Sequence, residues 1–181
     1  MLYSATKTRS RWPELTIGNA ALAIAAVSFA ALAGAWIIEF LGYKPCPLCL
    51  EERIPYYAAV PGGLVAVYLT HKAPKFGAAI LAAVSAALLY NAGIGVYHAG
   101  AEWHFWPGPD TCTGDAIQAT GSLAKRLMKN TDIVRCDEAA LRIFGVSLAG
   151  YSALISAGLA ALGGVALFRG GRKAPPALTG N

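Results

Sequence analysis

Four long apolar runs divide the chain, at about residues 17–40, 54–69, 76–97 and 144–168, and most of the polar residues gather between them. Most of these runs approach the roughly 20 residues that a helix needs to cross about 30 Å of hydrocarbon. The second is the shortest and borrows its outer turn from the segment around Cys49. All four are rich in Ala and Gly, which lets membrane helices approach closely where no hydrophobic effect drives them together. The pattern predicts an all-α membrane protein, a single domain over residues 1–181 built as a bundle of four transmembrane helices. Pro55 and Pro61, with Gly62 and Gly63, predict a kink in the second helix. The basic turn at residues 70–75 predicts a tight hairpin to the third.

One long polar segment remains, residues 98–143. Within it Ala116, Ile117, Leu123, Leu127 and Met128 recur at near-helical spacing, with Lys125, Arg126 and Lys129 largely on the other side. That predicts a short helix lying in the membrane interface; a loop helix covering the bundle is the plainer reading. Trp103, Phe105 and Trp106 read as an aromatic belt. Asn91, inside the third run, reads as a helix-packing residue.

Composition agrees with the pattern: 56% of the residues are hydrophobic and 14% charged. The net charge of +5 is spread over the ends of the apolar runs, so a membrane explains it better than nucleic acid does. Lys7, Arg9 and Arg11, then Lys72 and Lys75, then Arg169, Arg172 and Lys173 fall on one side of an even number of spans. The positive-inside rule makes that side the cytoplasm, with both termini inside and the loops at about 41–53 and 98–143 outside. The first run is too long for the core of a cleaved signal peptide, about 7–15 residues.

The candidate chemistry lies in those outer loops. Cys46 and Cys49, two residues apart, sit where the first run has ended and the second is about to begin. Two thiols at this spacing can close on each other. Arg53, four residues beyond Cys49, shares its helix face and favours a thiolate there. Pro47 suits a first helical turn, whose free amides also lower a thiol pKa. Glu51 and Glu52 oppose that effect, and the expected outcome is a thiolate at Cys49. Cys112 and Cys136 lie in the second outer loop.

Four outward cysteines fit structural disulfides, a metal site or an electron path. A zinc site usually repeats the paired motif, which occurs once here, so no metal is expected. Haem attachment needs His after the second cysteine, where this chain has Leu50. A non-catalytic membrane scaffold with structural disulfides is the alternative that an oxidising compartment allows. A bridge between Cys46 and Cys49, however, closes so small a loop that it adds little stability. Exchange explains the pair better.

On these residues the chain resembles the disulfide bond formation protein B family, DsbB, of bacterial inner membranes. The resemblance covers about residues 18–168: four spans, a close cysteine pair opening the second, an arginine four residues on, and two cysteines in one loop between the third and fourth. In vitamin K epoxide reductase relatives the close pair comes after the loop cysteines, so the order discriminates. The resemblance implies a thiol oxidase of the bacterial inner membrane, its active cysteines facing the periplasm. A DsbA-like periplasmic partner would attack a disulfide between Cys112 and Cys136. Cys136 would then pass the electrons to Cys46, freeing Cys49 to donate to ubiquinone or menaquinone, with Arg53 holding the quinone oxygen. The relay of DsbA, DsbB and quinone is a general feature of the oxidising periplasm. His98 carries over either as a quinone hydrogen-bonding residue or as an interfacial one. The chain has no glycine-rich dinucleotide fingerprint, which leaves a lipid-soluble acceptor.

Overall fold

In the computed structural model, residues 15–109 and 135–173 are described. They form four long helices: α1 (Ile17–Phe40), α2 (Pro47–Lys72), α3 (Pro74–Glu102) and α4 (Leu148–Lys173). A two-residue β-hairpin, β1 (Arg142–Ile143) against β2 (Val146–Ser147), precedes α4. Cys112 and the helix expected over residues 116–129 lie outside the described residues.

The helices run up and down. Six residues join α1 to α2, and Ala73 alone joins α2 to α3. α1 packs on α2, α2 on α3 and α3 on α4, and a smaller contact between α1 and α4 closes the ring. Helices α1, α3 and α4 are long and apolar enough to cross a membrane, and the chain is a multi-pass membrane protein. α2 falls outside that group, because Pro55, Pro61, Gly62, Gly63, three tyrosines and His71 dilute the apolar stretch that follows Arg53.

Two helix starts differ from expectation, and α3 and α4 each run about five residues past their expected ends. α2 starts at Pro47, well before residue 54, because Cys46 caps it and Pro47 sits at its first position. It continues through Pro55 and Pro61, each of which removes one backbone hydrogen bond. α4 starts at Leu148 and not at residue 144. Phe144 and Gly145 take left-handed backbone angles (φ 50° and 82°) and form the hairpin turn instead. A glycine fits that conformation freely, whereas Phe144, almost wholly exposed, adopts one that bulky residues rarely take.

Close approach explains the small residues. A Cβ on Gly63 would lie 2.8 Å from the Ala21 carbonyl oxygen of α1, and one on Gly95 would lie 2.9 Å from the Ala153 nitrogen of α4. Ile24, Leu81, Leu88 and Leu159 fill the space between. Buried positions repeat every three or four residues along α2, through Leu48, Glu52, Tyr56, Ala59, Gly63 and Ala66. The inward stripe of α3 runs through Leu88, Asn91, Gly95, His98 and Glu102. Midway along, Asn91 Nδ2 donates to Ser156 Oγ (3.0 Å), Ser156 Oγ meets Tyr56 Oη (2.7 Å), and Tyr56 Oη donates to the Ser152 carbonyl (3.1 Å). Three helices are thereby tied through neutral groups.

Candidate redox site

Up-and-down topology brings the end of α1, the start of α2, the end of α3 and the start of α4 to one end of the bundle. Three of the four predicted cysteines meet there. Cys46, Leu48 and Cys136 form a small buried cluster, with Cys49 and Ile94 against it. Cys136 is fully buried and disulfide-bonded, whereas Cys46 and Cys49 are free thiols. Beside Cys136, Arg135 grips Asp137 with two hydrogen bonds, holding that carboxyl below the usual carboxylate range.

Cys46 is the N-cap of α2. Its extended backbone (φ −77°, ψ 166°) turns Sγ back over the first turn, where it accepts from the Cys49 amide at 3.1 Å. The site differs here from the sequence expectation. Hydrogen bonding from Cys49, side chain and backbone, outweighs burial and holds the Cys46 thiol below its ordinary value. Cys49, hydrogen-bonded to Cys46 and buried, is pushed the other way. Of the two thiols, Cys46 is therefore the one that loses its proton more readily. Arg53, expected to favour a thiolate at Cys49, instead binds Glu39 of α1, Nη1 to Oε2, at 2.6 Å.

His98 is 2% exposed, and its two ring nitrogens face different partners. Nδ1 lies 2.6 Å from Glu52 Oε1 of α2, and Nε2 lies 3.5 Å from Cys46 Sγ. Glu102, one turn further along α3, brings Oε1 to 3.8 Å from Nε2, while its Oε2 is buried without a hydrogen-bond partner among the described residues. Glu52 and Glu102 were not singled out as functional from the sequence. The signal that finds them is the three-and-four spacing: each is a carboxylate on the inward stripe of its helix.

The donor atoms of Cys46, His98 and Cys136 lie within 4.8 Å of one another. A zinc site would need both sulfurs as thiolates. With Cys136 in a disulfide, this arrangement suits sulfur exchange better than metal binding.

Cys49 also lines a cavity of about 250 Å³. Ala35 and Ile38 of α1 and Ile155 of α4 give it an apolar wall, and Cys49, Arg53 and His98 are among its polar groups, together with Glu39, Glu52 and Tyr56. That donor set suits a flat, lipid-soluble ring with polar edges. A larger, more open depression of about 520 Å³, between Pro47 and Tyr97, is lined by no cysteine among the described residues. Of the residues expected from the sequence, the structure brings together Cys46, Cys49, Cys136, Arg53 and His98.

A sequence profile described as disulfide bond formation protein DsbB matches residues 18–166. An uncharacterized protein of Rickettsia prowazekii (strain Madrid E) is 26% identical over 152 residues, covering 81% of this chain and 86% of the relative. No solved structure matches.

Proposed function

Because the chain belongs to the DsbB family, and so to the oxidoreductases of disulfide formation, we propose that it is a quinone-dependent thiol oxidase. In this reading all four helices span the bacterial inner membrane, with the cysteine end facing the periplasm. A DsbA-like partner gives up its two thiols to a disulfide between Cys112 and Cys136. Cys136, once reduced, attacks Cys46 in a disulfide with Cys49, and Cys49 leaves as the thiol that faces the cavity. Cys112 then closes on Cys136 again, releasing Cys46.

Ubiquinone or menaquinone, bound in the cavity, would accept two electrons and two protons. Arg53 offers guanidinium donors to a developing negative charge there, one of its five already engaged by Glu39. His98 lines the same cavity. A two-electron couple gains about 1.4 kcal/mol per 30 mV, so a strongly oxidising acceptor can draw electrons even from a poorly reducing partner.

The supporting observation is the meeting of an oxidised sulfur, Cys136, with the free thiol of Cys46, in reach of the same histidine nitrogen. The test is to mix the purified protein with a reduced DsbA-like partner and a quinone, and to follow quinone absorbance. Loss of quinone should require Cys49 and disappear in Cys49→Ala with the fold kept. An unchanged quinone signal with the intact protein would leave a membrane scaffold as the reading.

A further inference from the structure

We propose that His98 is the proton acceptor for Cys46, and that Glu52 is the positioning residue that holds it in that role. The inference rests on the reading that Cys46 and Cys49 close a disulfide in each turnover. When they close, Cys46 gives its proton to His98 Nε2, and the electron pair left on Cys46 forms the bond to Cys49 Sγ. Two electrons leave for the quinone, and the proton of Cys49 departs with them. His98, which lines the same cavity, then passes the proton it took to the reduced quinone. Two thiols thus become one disulfide, and the quinone, gaining two electrons and two protons, becomes a quinol.

The geometry carries this assignment in three ways. First, the 2.6 Å contact from Glu52 to Nδ1 fixes the tautomer with a proton on Nδ1, so Nε2 presents its lone pair to Cys46 Sγ at 3.5 Å. A third group orienting a base that faces a nucleophile is the general arrangement of activated nucleophiles. Second, Glu52 and Glu102 are both nearly dry, and Glu102 Oε2 has no hydrogen-bond partner among the described residues. Burying two carboxylates around one imidazole is costly when the ring is neutral, and much less so when it carries a second proton. Third, Cys46 already has the helix amide that a thiolate needs. A proton leaving Cys46 therefore moves between two sites that each stabilise the charge it creates.

The groups facing Cys46 are Cys49 and Glu52 from α2, His98 and Glu102 from α3, and Cys136, which as a disulfide does not titrate. Glu52 acts on Cys46 with two opposite signs. Its charge repels a thiolate directly, while its grip on His98 supplies the partner that stabilises one. The experiment exploits that opposition. The full chain, in detergent and free of quinone and partner, is reduced with a thiol-free phosphine, and thiolate absorbance in the ultraviolet is followed against pH. The Cys46 component is identified by its loss in Cys46→Ala.

Glu52→Gln should move the Cys46 midpoint up by about one pH unit, about tenfold less thiolate at neutral pH. His98→Ala should do the same, and the double variant should go no further than either alone, since both remove one unit. Glu52→Asp, which keeps the charge, should recover part of the shift. A midpoint that falls or stays still in Glu52→Gln overturns the proposal, because Glu52 would then act only by repulsion or not at all. Glu52→Gln is close to isosteric, so it decides the matter even if His98→Ala fails to fold. The titration needs neither quinone nor partner. A protein that turns over normally yet shows no shift refutes the proton-acceptor role and leaves the thiol oxidase reading intact.

Discussion

Two buried polar clusters bridge α2 and α3, and they sit close together on the same inward stripes. Tyr56 follows Glu52 by one turn of α2, and Asn91 precedes His98 by two turns of α3. The Tyr56, Ser156 and Asn91 cluster contains only neutral groups, and its hydrogen bonds run from α3 through α4 to α2. The Cys46, Glu52, His98 and Glu102 cluster is equally dry, yet all four of its members can gain or lose a proton. Depth and spacing are shared, so they do not distinguish glue from chemistry. What does is whether the buried groups titrate, and whether one sulfur in the group can change its bonding partner.

The largest expected effect comes from removing that sulfur. Cys46→Ser should lower oxidation of a DsbA-like partner by at least about 10³-fold, the scale of deleting a nucleophile that works within a unit. Its thermal unfolding midpoint should stay close to that of the parent. Equal loss of folding and activity would erase the distinction between the two clusters. Next comes Gly95→Val, whose added carbon meets the Ala153 backbone. Overpacking there should cost about 1–3 kcal/mol in an unfolding measurement. Because Gly95 lies one turn before His98, activity should fall with it.

A pH series on the reduced protein sharpens the contrast further. The folded Cys46 thiol lies below its unfolded value, so its contribution is complete above about pH 8.5 and is lost as pH falls through the folded value. Cys49 lies above its unfolded value, so its contribution is complete below about pH 8.5 and is lost as pH rises. Stability of the reduced chain should therefore peak near the ordinary thiol value, with about 1.4 kcal/mol at stake per pH unit of displacement. The double Cys46→Ser, Cys49→Ser variant should flatten the curve. A peak that survives in that variant would assign it to other groups. The smallest effect is Asn91→Ala, which should cost about 0.6 kcal/mol, typical of a hydrogen bond between membrane helices. The thiolate titration of Cys46 should not move.

Much of this was legible in the sequence. The apolar runs gave four helices because Ala, Gly and Leu at such density have no other stable use at that length, and the close cysteine pair marked the start of α2. The expectation of a thiolate at Cys49 weighs Arg53 only against its own helix. Glu39, fourteen residues earlier on α1, captures it once the first two helices pack. Glu52 was weighed likewise as a charge beside a thiol. Its partner His98 lies 46 positions away, and only the packing of α2 on α3 joins them. The hairpin before α4 was hidden because Phe144 reads as the start of an apolar run, whereas the left-handed pair with Gly145 breaks it.

The sulfur proposed to exchange partners is also the one that caps α2. A side-chain cap is worth about 1 kcal/mol to the turn it closes, and a sulfur drawn into a disulfide gives up the negative charge that makes it a good acceptor. Each catalytic cycle should therefore slacken and retighten the opening of this helix. Amide hydrogen exchange at Cys49 would follow that breathing as a record of the electron count.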